Sequence, residues 1–102
     1  MAKLIAMYKK PADAKTFDAY YYSTHLAIAK KIPGLVGYEV SSGPIGTPAG
    51  ESEYHLIATL SFDSMSALQS ALASAESGAA AKDLTNFVTG GVDLLIFDTK
   101  EI

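Results

Sequence analysis

Two histidines, six tyrosines and no cysteine bound the chemistry open to this 102-residue chain. His25 closes the run Tyr20-Tyr21-Tyr22-Ser23-Thr24-His25, and the segment ends at Pro33-Gly34. An imidazole titrates near neutral pH and can serve as a general acid or base. Tyrosines bring apolar rings with a polar tip that needs a partner when buried. Aromatic rings with a few hydroxyls suit a pocket for a small organic molecule, and equally an ordinary core. A histidine in that setting either lines a site or is a half-buried ring tied to a backbone carbonyl. His55, the other histidine, lies in the apolar run Tyr54–Phe62.

Other chemistry is excluded or unsupported. Without cysteine there is no disulfide, thiol nucleophile, thiolate zinc site or cysteine-held iron–sulfur cluster. Gly43-Pro44-Ile45-Gly46 lacks the lysine of a phosphate loop. Two histidines far apart in sequence make a poor metal site, and no motif calls for a cofactor. A net charge of −3, with Lys9-Lys10 and Lys30-Lys31 as the only basic pairs, argues against a nucleic-acid partner. No apolar run approaches the roughly 20 residues of a membrane span. The first residues hold too short an apolar run for a signal peptide, so a cytoplasmic protein is expected.

The elements that must hold these residues follow from periodicity. Leu4–Tyr8 reads as a strand stopped by Lys9-Lys10-Pro11. Asp13 is placed to cap a helix over Ala14–Ile32 whose inner stripe is Phe17, Tyr21, Thr24, Ile28 and Ile32. At 100° per residue His25 sits about 80° from Phe17, at the edge of that stripe. Leu35 to about Ile45 reads as a second strand, and the breaker-rich residues 43–50 as a long loop. Glu53–Phe62 is the clearest strand. Asp63-Ser64 caps a helix through Met65, Leu68, Leu72 and Ala75 that Gly78 should break. A shorter helical piece over Ala79–Phe87 turns Ala81, Leu84, Phe87 and Val88 inward, and Val92–Phe97 is the last strand. The order β-α-β-β-α-β is the ferredoxin-like arrangement: a single α+β domain over residues 1–102 with a four-stranded antiparallel sheet.

Such a sheet is covered by helices on one face only. In the third strand Tyr54, Leu56, Ala58, Leu60 and Phe62 alternate with His55, Ile57, Thr59 and Ser61. The first and last strands are apolar on both faces. A homodimer that pairs the two open faces removes this apolar surface from water, and places His55 inside the assembly. The alternative is that these runs only express β-propensity.

The run Phe17-x-x-Tyr20-Tyr21-x-x-Thr24-His25-x-x-Ile28-Ala29-x-x-Ile32-Pro33-Gly34-Leu35 resembles the signature of the EthD family, small bacterial proteins associated with ethyl tert-butyl ether degradation. The resemblance extends over most of the chain. It implies a dimeric α/β barrel of ferredoxin-like fold, in a superfamily that includes cofactor-independent monooxygenases, haem-degrading proteins, muconolactone isomerases and polyketide cyclases. Ala27 stands where the family usually has proline, which restrains the helix around the histidine.

Three readings follow. In the first, a dimer binds a small apolar organic compound in a cleft between helix and sheet and takes part in an oxidative or isomerising step. His25 is then the acid/base or orienting group, Tyr21, Phe17 and Tyr8 line the site, and His55 is a second polar contact. In the second, the protein is a non-catalytic accessory module for a monooxygenase partner. In the third, it binds haem through His25 or His55.

Overall fold

Asp13 and Ser64 fix where the two helical layers begin. In the computed structural model, which describes residues 1–102, the Asp13 side chain accepts the Thr16 N–H and the Ser64 hydroxyl accepts the Ala67 N–H. Each satisfies a backbone donor that the first turn leaves free. The strands are β1 (Ala2–Lys9), β2 (Leu35–Val40), β5 (Tyr54–Phe62) and β6 (Val92–Asp98), and residues 43–52 carry a small hairpin of β3 (Gly46–Thr47) and β4 (Gly50–Glu51). The helices are α1 (Ala14–Tyr20), continued by a π-helical turn at Tyr21–His25 into α2 (Leu26–Ala29), and then α3 (Met65–Leu72) and α4 (Ala75–Asp83).

The main sheet is antiparallel in the order β2-β5-β1-β6, the ferredoxin-like order expected from the element sequence. The helices cover one face. Tyr8, Leu56, Ala58, Leu60 and Phe62 from the sheet meet Phe17, Tyr21, Ala29 and Leu68 from the helices in the core. By register, Ile5, Met7, Leu95 and Phe97 lie on the other face. Leu95 and Phe97 are 49% and 42% exposed.

Outside the first helix, local expectations fail at four places. The second helix breaks at Ala73-Ser74 rather than at Gly78, because Ser74 caps α4 by accepting the Ser77 N–H. Gly78 lies within α4, where an isolated glycine lowers stability without ending the helix. Strand β2 stops at Val40, and the Lys10 ammonium, 2.6 Å from Glu51, ties the hairpin beyond it to the end of β1. From α4 it is Ala80 and Asp83 that are buried, and Ala81 is exposed.

The fourth difference concerns His55. Register along β1 and β5 runs evenly to Tyr8↔Leu56 and then jumps to Lys9↔Tyr54, leaving His55 as the extra residue of a bulge. A bulge breaks the strict alternation of faces. Tyr54 therefore reaches Asp93 of β6 with its hydroxyl at 2.8 Å, whereas His55 turns to the helical side and packs edge-on against Phe17. The expected place of His55 on the open face, and so inside a dimer, is wrong for this reason.

Candidate functional site

His25 owes its position to the π-helical turn. The Leu26 N–H bonds back to Tyr21, five residues earlier, which inserts one residue into the helical spiral. The buried line becomes Phe17, Tyr21, His25 and Ala29, a spacing of four throughout. In an unbroken α-helix that spacing drifts round the axis. The π turn absorbs the drift, so His25 lies in the middle of the buried stripe and is only 4% exposed.

The partner of His25 is a carboxylate rather than the backbone carbonyl considered from sequence. Nδ1 lies 2.9 Å from Oδ2 of Asp83, at the end of α4. Oδ1 of Asp83 accepts from the Tyr20 hydroxyl at 2.6 Å and from Asn86 Nδ2 at 2.9 Å. Burial works most strongly against ionisation of Asp83. The hydrogen bonds from Tyr20, Asn86 and His25 together outweigh it and hold the carboxyl below its ordinary range. An ionised Asp83 accepts a hydrogen bond from Nδ1–H, which leaves Nε2 of a neutral ring as the basic nitrogen. Ala27, at the position where the EthD pattern has proline, is exposed, and the ring of His25 is held by Asp83.

Nε2 has no hydrogen-bond partner in the protein, yet no buried polar side-chain atom is left unsatisfied. It borders open space. His25 forms part of the wall of a cavity of about 110 Å³ between the sheet and α2, α3 and α4. The wall includes Leu4, Ala6, Tyr8, Tyr38, Leu60 and Leu84, and the exposed Leu72 and Leu94 mark its outer rim. Of 15 lining residues, 13 are hydrophobic, so His25 and Ser77 stand out beside the two tyrosine hydroxyls.

The sequence-derived candidates divide. His25 and Tyr8 line the cavity. Tyr21 lies one layer behind it, its hydroxyl 2.7 Å from that of Tyr38, which does line it. Burial raises the Tyr8 and Tyr21 hydroxyls well above the ordinary phenol range, so both stay protonated. Phe17 packs edge-on against Tyr8 and Phe87, supporting the wall without forming it. His55 is not brought into the cavity. It lies on the other side of Phe17, with Nε2 2.8 Å from Asp18, beneath the 43–52 hairpin.

Asp83, Tyr20 and Asn86 were missed by sequence reasoning. Their signal is faint: Asp83 is the one carboxylate near the end of an alanine-rich helix, three residues after the buried Ala80. No cluster of three metal-binding side chains exists, and no helix is long and apolar enough to cross a membrane.

Comparison with known proteins adds four findings. The EthD domain matches residues 9–91. An uncharacterized 11.0 kDa protein from the thcB-thcC intergenic region of Rhodococcus erythropolis is 31% identical over 103 residues, covering 100% of this chain and 98% of that protein. The crystal structure of an ethyl tert-butyl ether degradation (EthD) family protein from Bacillus halodurans superposes with a TM-score of 0.88 at 36% identity, covering 98% of this chain and 99% of the other. The fold extends to SnoaB, a cofactor-independent oxygenase of Streptomyces nogalater (TM-score 0.67, 13% identity, 99% and 94% covered), and to a dimeric ferredoxin-like protein of Bacteroides fragilis (0.61, 18%, 96% and 95%).

Proposed function

The chain belongs to the EthD domain family, and from that premise we propose that it binds a small apolar organic compound between helices and sheet and assists an oxidation-related step on it. His25 acts on the ligand as acid or base, oriented by Asp83. The observation that carries this is the His25–Asp83 pair: a buried imidazole fixed at Nδ1 and open at Nε2, on the wall of an otherwise apolar cavity. A residue held only for stability has no need to leave its second nitrogen facing space. Tyr8 lines the ligand space, with Tyr21 and Phe17 behind it. His55 is left out of this role.

The protein works as a cytoplasmic homodimer joined through the open sheet face. The apolar Ile5, Met7, Leu95 and Phe97 on that face support this. A monomer would leave them against water. The other reading, an accessory protein for a monooxygenase, is favoured by the same exposed surface if a different protein covers it. Haem is not part of the proposal, because a tetrapyrrole does not fit a cavity of about 110 Å³.

The test is ligand binding by calorimetry with small apolar compounds such as toluene, on the native protein and on His25→Gln. Binding by both, with His25→Gln unable to support proton exchange on a bound ligand, is the expected result. If no apolar compound binds and His25→Gln alters stability alone, the reading fails.

A further inference from the structure

We propose that the ligand is a neutral, one-ring weak acid, a phenol or an enolisable ring ketone, which enters uncharged and gives its proton to Nε2 of His25. This rests on the cavity being the ligand site. Charge, size and the placing of free polar atoms each narrow the class.

Charge comes first. No lysine, arginine, aspartate or glutamate lines the cavity. The one group there able to become cationic is His25, and Asp83 behind it neutralises an imidazolium at 2.9 Å. A carboxylate or phosphate would lose its hydration and gain no unmatched positive charge. An ammonium ligand fares no better, because Asp83 already accepts three hydrogen bonds. The molecule that enters is therefore uncharged.

Size comes second. A cavity of about 110 Å³ is somewhat smaller than the roughly 150 Å³ apolar cavity known to take up benzene. One six-membered ring fills it, with a substituent directed to the rim at Leu72 and Leu94. A fused second ring is too large.

The polar atoms come third. Nε2 of His25 and the Tyr8 hydroxyl both belong to residues of the wall, and neither has a protein partner. Tyr8 is held in its protonated form by burial, so it donates. In the proposed step the ligand's O–H bond breaks, or its C–H bond beside a ring carbonyl. The electron pair stays on the ligand and the proton bonds to Nε2. The resulting imidazolium faces Asp83, and the Tyr8 hydroxyl donates to the ligand oxygen as it gains negative charge. No electron is transferred in this step.

The experiment titrates the native protein with 4-nitrophenol, whose anion absorbs at longer wavelength than the acid, in buffer acidic enough to keep the free compound protonated. Toluene, benzoate and 2-naphthol are run alongside by calorimetry. Cyclohexanone in heavy water reports proton exchange beside the carbonyl by NMR. The expected result is a phenolate band that saturates at one equivalent per chain, accelerated exchange in cyclohexanone, binding of toluene, and little binding of benzoate or 2-naphthol. His25→Gln should lose the band and the exchange while retaining toluene. Tyr8→Phe, which keeps its ring in the core, should reduce the phenolate fraction about tenfold, as expected for one hydrogen bond to a charged oxygen. If toluene binds but nitrophenol stays protonated and cyclohexanone does not exchange, the weak-acid class is overturned while the apolar site stands. Benzoate binding as tightly as nitrophenol also overturns it. If neither toluene nor nitrophenol binds, the ligand site itself is refuted.

Discussion

The Tyr20 hydroxyl donates to Oδ1 of Asp83 at 2.6 Å across 63 positions of sequence. It thereby fixes the carboxylate whose other oxygen holds His25. Tyr20→Phe keeps the ring stacked on Phe87 and deletes one of three donors to Asp83. Asp83→Ala deletes the acceptor of all three and strands a buried imidazole N–H. The expected cost of Asp83→Ala is about 1–3 kcal/mol, as for a buried donor left unsatisfied. Tyr20→Phe should lower the melting temperature less. Thermal unfolding of the two variants checks the order, and a larger effect for Tyr20→Phe would contradict it.

The same carboxylate gives stability an acid limb. Its folded pKa is depressed, because the three hydrogen bonds outweigh the opposing effect of burial. An unfolded aspartate titrates at about 3.9. The unfolded chain therefore takes up the proton first as pH falls, and stability declines from about pH 4 downward, through the depressed folded value. On the alkaline side the signs reverse. Tyr8 and Tyr21 are pushed up by burial, so unfolded tyrosines ionise first, at about pH 10, and stability falls above that. Denaturant unfolding across the pH range should show both limbs, with the acid one flattened in Asp83→Ala.

The order of the elements, and with it the ferredoxin-like antiparallel sheet, was legible in the sequence because alternation and helical stripes are local patterns. Asp13, Ser64 and Pro33-Gly34 were legible because capping and breaking are local chemistry. Asp83 was not, since its role arises from a contact 58 positions away in sequence. His55 was misplaced for a related reason. A bulge is visible only in the pairing of two strands, and one extra residue reverses every face assignment on its far side. The π turn likewise moved His25 from the edge of the stripe to its centre. Gly90-Gly91 suits a turn before the last strand by composition alone, yet a side chain at Gly90 would collide with the Lys10 carbonyl oxygen. That second reason for glycine cannot be seen without the fold.

His55 should prove separable from the cavity. It contacts Phe17 edge-on at a ring-centroid distance of 5.1 Å and pairs with the half-exposed Asp18. His55→Ala is expected to cost about 0.5–1.5 kcal/mol through the lost aromatic contact. Affinity for toluene should be unchanged. Calorimetry on this variant beside His25→Gln tells the two histidines apart. A large loss of affinity in His55→Ala would mean that the clefts on the two sides of Phe17 act as one.

The edge strand offers the test of the proposed assembly. Leu95 and Phe97 of β6 point to the open face and Leu94 and Ile96 to the helical face, and all four are 42–53% exposed. An edge strand this apolar invites association unless something covers it. Lysines at Leu95 and Phe97 together should leave a monomer's fold intact, since neither side chain belongs to the core. In a face-to-face dimer the same pair places four charges in an apolar interface, which is strongly unfavourable. Sedimentation should therefore find the native protein dimeric and the double variant monomeric, with a lower melting temperature that no longer depends on concentration. A native protein that sediments as a monomer would direct attention to a different partner for this face. A double variant that remains dimeric would place the interface elsewhere.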